Sequence, residues 1–244
     1  MVVKFNIDNP LSEVLKNDVV SILSEGFVMM REERETRKVG EGNYLGIFLH
    51  DCFLEVMGKK FPLSQIIQFK RWPYRGRIVC IPSLKITISF VSKYSVKKAL
   101  KRSLTKPHYL QALIYHMNKN FVGMEQQGCL FSPDELDVEQ LDTVFTETYG
   151  ESAIDLDNYT HYVVEYTSYR GHLQDVNLSL YSSGFGLVNS WSLKENIPID
   201  VGELTEVVKN DTELEHDNKT KGLVKKKKGV DLWKKKQELE SEGI

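Results

Sequence analysis

Between residues 56 and 124 the chain contains neither aspartate nor glutamate, although these make up 34 of its 244 residues. A carboxylate metal centre or a pair of acid–base carboxylates cannot be built from that third of the chain, because both need side-chain oxygens that it lacks. Cysteine is scarce too. Cys52, Cys80 and Cys129 are widely spaced, which excludes a disulfide framework and a zinc motif of paired ligands. Each has apolar neighbours, as a buried free thiol would. Long apolar runs are missing as well. The most apolar stretch, residues 44–57, is interrupted by His50, Asp51 and Glu55 and falls short of the ~20 residues that span a bilayer. Polar and acidic residues follow Met1–Phe5 at once. Neither a transmembrane segment nor a leader is expected, and the chain reads as cytoplasmic. No glycine-rich phosphate loop or nicotinamide signature occurs, so no cofactor and no metal site is expected.

What is present is charge, sorted along the chain. Residues 56–124 carry 14 Lys and Arg, against 6 basic and 10 acidic residues in 1–55. Residues 125–217 hold 3 basic and 20 acidic residues, and 218–244 hold 9 and 4. The net charge of −2 therefore averages over blocks of opposite sign. A block of cations raises the local potential unless another part of the fold neutralises it. The basic middle either meets a polyanion or is answered by the acidic segment that follows it.

Periodicity predicts a mixed α+β fold. Asn9-Pro10 suits a helix start. Leu11, Val14, Leu15, Val19, Ile22 and Leu23 then repeat at helical spacing, with a weak point at Gly26 and a run onward through residues 31–38. Gly40 and Gly42 break the pattern, and a second helix is expected over 44–57 with Gly58 as its stop. A short strand over 5–8 is expected before the first helix. Strands are expected over 66–72, 77–81 and 85–91, the last two as a hairpin around Pro82-Ser83-Leu84. Ile86, Ile88 and Phe90 alternate with Thr87 and Ser89, the pattern of a sheet covered on one side. Helices over 95–104 and 108–118 follow, then a helical region opened by Ser132-Pro133. Three short strands come last, over 161–167, 175–182 and 187–191. Clustered rather than alternating elements imply N-terminal helices and two small, mostly antiparallel sheets separated by helices. Residues 1–198 read as one domain, with a sub-boundary near 122–132, and 199–244 as an acidic linker and a flexible basic tail.

Two elements carry the expected site. At about 100° per residue, Lys97, Lys98, Lys101 and Arg102 fall within one arc of about 140°, opposite Val96, Ala99, Leu100 and Leu104. Like charges four apart repel, so such a face is either solvated or meets an anion. The second element is Lys70, Arg71, Trp72, Tyr74, Arg75 and Arg77, with Lys106 nearby in the same block. Its cations suit phosphates, and Trp72 and Tyr74 suit stacking on unpaired bases. The bland reading places both aromatics in the core, with the cations as their rim. Catalytic signals are weak. Glu55 with Lys59 and Lys60, or Asp155, Asp157, Glu165 and Asp175, form no diagnostic spacing. His50, Asp51 and Cys52 point three ways on a helix. His161 and His172 are placed to face each other across a hairpin, without a third metal ligand.

Gly42-Asn43-Tyr44, the Trp-containing strands, the run from Pro107 to Leu113 and Trp191-Ser192 resemble uncharacterised families carried by Gram-positive bacteria and their phages, over roughly residues 40–195. The resemblance implies no activity and favours a phage or host-defence accessory role. The expected function is a nucleic-acid-binding accessory protein. A metal-dependent nuclease using the same face and a module for an acidic protein partner are the alternatives. The sequence leans away from an enzyme and leaves the oligomeric state open.

Overall fold

A computed structural model describes residues 7–37, 43–71, 74–103, 105–125, 137–150, 156 and 158–198, with the backbone alone at 37, 43–45, 70, 71, 74 and 75. Two helices come first, α1 (Glu13–Arg37) and α2 (Asn43–Lys60). Three strands follow, β1 (Ile66–Arg71), β2 (Tyr74–Ile81) and β3 (Ile86–Ser92). Then come α3 (Lys93–Leu100), α4 (Tyr109–Met117) and α5 (Val138–Tyr149), and finally β4 (Thr160–Tyr169), β5 (His172–Tyr181) and β6 (Leu187–Ser192). These elements all belong to one unit, Met1–Pro198. Among the described residues no helix is long and apolar enough to cross a membrane.

The α+β composition is as expected, but there is one sheet and not two. Its six strands lie in the order β1-β2-β3-β4-β5-β6, and every pairing is antiparallel except β3 with β4. That parallel pair runs from Ile86↔Thr160 to Ser92↔Tyr166 and joins the two groups of strands that the sequence keeps apart. A parallel pair needs a crossover rather than a tight turn. Residues 93–159 supply it, so the expected sub-boundary near 122–132 falls inside a connection within one sheet. Local periodicity carries no sign of a pairing made across so long a connection.

Helices cover both faces. On one, α1 and α2 place Val19, Leu23, Phe27 and Val56 against Val79, Ile88, Val164 and Leu178. On the other, α3, α4 and α5 cover Ile78, Cys80 and Val163 with Leu100, Leu110, Leu113 and Leu141. The α1–α2 contact is close because Gly26 has no side chain: a Cβ there would lie 2.4 Å from the Phe53 ring. Gly26 is therefore a packing site inside a continuous α1. Gly58 likewise sits inside α2 and does not stop it. Val14, expected on the apolar face of α1, is 70% exposed. The helix starts later than Asn9-Pro10, where the Ser12 hydroxyl accepts from the Leu15 N–H at 3.4 Å. The strand expected over 5–8 lies partly outside the described residues, and Ile7 and Asp8 are not in a strand. The start expected at Ser132-Pro133 lies outside them too; α5 is capped by Asp137, which accepts from Gln140.

The polar face of β3 is also not what its pattern implies. Thr87 and Ser89 are buried, turned toward a fully buried histidine. The Thr87 hydroxyl lies 2.8 Å from His161 Nδ1, and the Ser89 hydroxyl 3.1 Å from Nε2. Asn118, just past α4, accepts from the His161 backbone N–H at 2.8 Å and donates to the carbonyls of His161 and Tyr181. One imidazole and one amide thus tie β3, β4, β5 and the end of α4 together. Buried polar groups are tolerated only when satisfied in this way.

Burial pushes the His161 pKa down to about 3, against about 6.5 in an unfolded chain. The unfolded chain takes up a proton as pH falls through 6.5, whereas the folded one resists until about 3. The stability contribution is therefore present above 6.5 and is lost progressively below it. Between pH 7 and 5 the protein should lose about 2 kcal/mol more than its His161→Gln variant, by urea unfolding at each pH. Equal losses would show that His161 is not held neutral.

Candidate functional site

The sheet opens at one end. Strands β2 and β3 pair only at Val79↔Ile88, Cys80↔Thr87 and Ile81↔Ile86. Beyond Val79, the N-terminal half of β2 is bonded to β1 alone, and the C-terminal half of β3 to β4 alone. A cleft of about 250 Å³ lies in the gap. Gly76 and Arg77 form one side of it, and Phe90, Val91 and Ser92 the other. His50 and Phe53 of α2 and Tyr166 of β4 also line it, with His108 and Tyr109 at the start of α4.

The cleft lies at the carboxyl ends of the parallel pair, where open α/β sheets commonly take ligands. Two helices begin there. Ser92 caps α3, accepting from the Ser95 N–H at 3.3 Å and donating to the Ser95 hydroxyl at 2.9 Å. His108 caps α4: its Nδ1 accepts from the Leu110 N–H at 3.2 Å, and its backbone N–H donates to Gln111 Oε1 at 2.7 Å. With Nδ1 as acceptor, the other ring nitrogen of His108 carries the proton. Burial pushes the Tyr166 hydroxyl up to about 12, with Tyr109 adding to it, so that hydroxyl is uncharged at neutral pH.

Arg77 is the cation of the cleft. It is partly buried, and its Nε is shielded from solvent without a hydrogen-bond partner. Among the described residues no carboxylate lines the cavity. A shielded guanidinium nitrogen without a partner is costly. Of the other expected binding residues, Lys70, Arg71, Tyr74 and Arg75 are placed by backbone, in the register Lys70↔Arg75 and Arg71↔Tyr74. Trp72 lies outside the described residues. Because β2 runs antiparallel to β3, this hairpin end and the start of α3 lie at the same end of the sheet.

The expected basic helix is shorter than its pattern. Helix α3 starts at Lys93 and ends at Leu100, where Gln111 Nε2 donates to the carbonyls of Leu100 and Arg102. Lys97 and Lys98 thus occupy its last turn, where the helix dipole favours cations. Lys101, Arg102 and Lys106 follow it in a loop. All five are exposed, and among the described residues none is in an ion pair; the pairs formed are Lys16–Glu13, Lys59–Glu55, Lys60–Glu25 and His116–Asp142. Tyr94, 77% exposed, precedes Lys97 and Lys98 by three and four positions and so shares their face. That spacing was visible in the sequence but went unused. His50, Ser92, Ser95 and His108 had no comparable signal, because only the tertiary fold brings them to Arg77.

The other candidates disperse. Glu55 pairs with Lys59 at 2.7 Å, and Lys60 with Glu25 at 3.1 Å. Glu165 accepts from the Tyr181 hydroxyl at 2.6 Å, and Asp175 from Asn177 at 2.8 Å. Asp155 and Asp157 lie outside the described residues. His161 and His172 do not meet: His161 is near the start of β4, and His172 pairs with Tyr169 at its far end. Burial, with Glu55 and Asp51 nearby, pushes the Cys52 thiol up to about 11, against a nucleophilic role. Cys80 is also buried and free, and Cys129 lies outside the described residues. Among the described residues no three His, Cys, Asp or Glu side chains converge to hold a metal ion.

The Phe69 ring lies over Gly76, its partner in register, where a Cβ would stand 2.1 Å from the ring. The ring is held between Tyr109 and Tyr149 at 4.9 and 5.2 Å. Gly76→Val should therefore cost about 1–3 kcal/mol by overpacking, partly recovered when Phe69→Leu is added. A neutral Gly76→Val in urea unfolding would contradict this packing of the cleft floor.

No curated protein and no solved structure matches the chain. A family model does, over residues 8–242, nearly the whole sequence including the helices, the single sheet and the cleft. The chain belongs to a family of unknown function (DUF5986).

Proposed function

We propose that the chain is a cytoplasmic nucleic-acid-binding accessory protein, of the kind a phage or host-defence system carries, that grips single strands along the α3 edge. The observation that carries this reading is the exposure of Tyr94, Lys97 and Lys98 on α3 and of Lys101, Arg102 and Lys106 in the loop after it. Among the described residues no carboxylate pairs with these cations. Cations of this kind release counterions from a phosphate backbone. An exposed aromatic beside them suits an unpaired base, which offers a π-face whatever its sequence. The phage or defence setting rests on the resemblance of Gly42-Asn43-Tyr44, the Trp-containing strands, the Pro107–Leu113 run and Trp191-Ser192.

Fluorescence anisotropy with a labelled single-stranded oligonucleotide tests the reading. Each phosphate contact on a single strand adds about −0.7 to the log–log salt slope. Replacing Lys97, Lys98, Lys101 and Arg102 by alanine should flatten the slope by up to about 3, and Tyr94→Ala should cost about 1–3 kcal/mol in affinity. Unchanged affinity and slope in a variant with native circular dichroism would sink the proposal.

A further inference from the structure

The geometry points to the cleft between β2 and β3 as a site for the phosphate monoester of one nucleotide, with its attached nucleoside lying against the aromatic wall. The choice of a nucleotide rests on the nucleic-acid reading above, whereas the demand for an anion rests on the cleft alone. Arg77 is the first reason. Its Nε is buried and unpartnered, and among the described residues lining the cavity no carboxylate supplies the counter-charge that a partly buried guanidinium favours. Its planar fork fits a phosphate in two-point contact.

A donor of the right kind shares the lining. The Ser95 hydroxyl accepts from Ser92, which leaves its own hydrogen to give, and Ser95 lines the cleft with Arg77. The amino ends of α3 and α4 add favourable partial charge for an anion, as a supporting effect.

Size and wall chemistry narrow the ligand. The cavity, about 250 Å³, is below the roughly 300–1,000 Å³ of drug-sized sites, so it suits a single unit and not a length of strand. Phe53, Phe69, Phe90, Tyr109 and Tyr166 offer apolar rings, and Tyr166 is uncharged at neutral pH. A planar base can pack there while its phosphate meets Arg77. Bare sulfate or phosphate would leave the aromatic wall unused.

A monoester can come from a free mononucleotide or from the phosphorylated end of a strand, and two comparisons separate these sources. One measures adenosine and thymidine 5′-monophosphates against the unphosphorylated nucleosides by titration calorimetry. The other measures a 5′-phosphorylated oligonucleotide against its 5′-hydroxyl twin by anisotropy. In at least one comparison the phosphorylated form should bind about ten- to a hundredfold tighter. The preference should vanish in Arg77→Met and in Arg77→Gln, the first keeping most of the aliphatic packing. With the four α3 cations replaced by alanine, both oligonucleotides should weaken alike and the ratio between them should persist. Preference in the first comparison alone assigns a free nucleotide, and preference in the second assigns a strand end. No preference in either overturns the inference, even if oligonucleotides still bind through the α3 cations. A preference that survives both Arg77 variants overturns it as well. Loss of all oligonucleotide binding, with mononucleotide binding intact, would overturn the nucleic-acid reading and leave the cleft standing.

Discussion

Strand β3 is paired along its full length with one neighbour, β4. Seven consecutive residues of β3 pair in parallel with Thr160–Tyr166, and the buried His161, held between Thr87 and Ser89, fixes the start of that register. The rest follows from it. A parallel neighbour requires the crossover, and here it lays α3 and α4 on one face of the sheet with both helices starting at the cleft. On its other side β3 keeps only three pairs with β2, and the strands then part around Arg77.

Electrostatics then distinguishes the two ends of the molecule's basic block. Lys59 and Lys60, at its start, are answered by Glu55 and Glu25 on α2 and α1. The cations on and after α3 have no such answer among the described residues. Exposed ion pairs contribute little stability, so the fold does not depend on the pairs it makes. Nor does leaving the α3 cations unpaired cost it much: Lys97 and Lys98 sit at a helix carboxyl end that favours them. Arg77 differs because it is partly buried, and burial makes an unpaired charge expensive.

Much of this was legible in the chain, where the signal was local. The α1 and α2 faces, the β2–β3 turn, the three late strands and the exposure of Lys97 and Lys98 follow from periodicity and turn chemistry. Tertiary packing decided the remainder. Thr87 and Ser89 read as a wetted face because alternation cannot distinguish water from a buried histidine 72 to 74 residues away. Gly26 read as a weak point because its reason is the Phe53 ring on another helix. Two sheets were expected because the β3–β4 pairing spans the whole crossover. The site was half legible. Arg77 was named, but as one cation among several on a strand-to-loop segment. What sets it apart is the absence of a partner inside a cleft, a property that no linear pattern contains.

The cleft depends on the parting of β2 from β3, and residue-resolved amide hydrogen exchange reads that parting directly. If the strands pair only from Val79 to Ile81 with Ile86 to Ile88, amides within those segments should be slow throughout. Over 76–78 and 89–91, slow amides should alternate with fast ones, because every second peptide group faces the gap instead of a strand. Uniformly slow exchange across 76–81 and 86–91 would mean that the two strands are bonded along their full length, leaving no cleft and no unanswered charge within it.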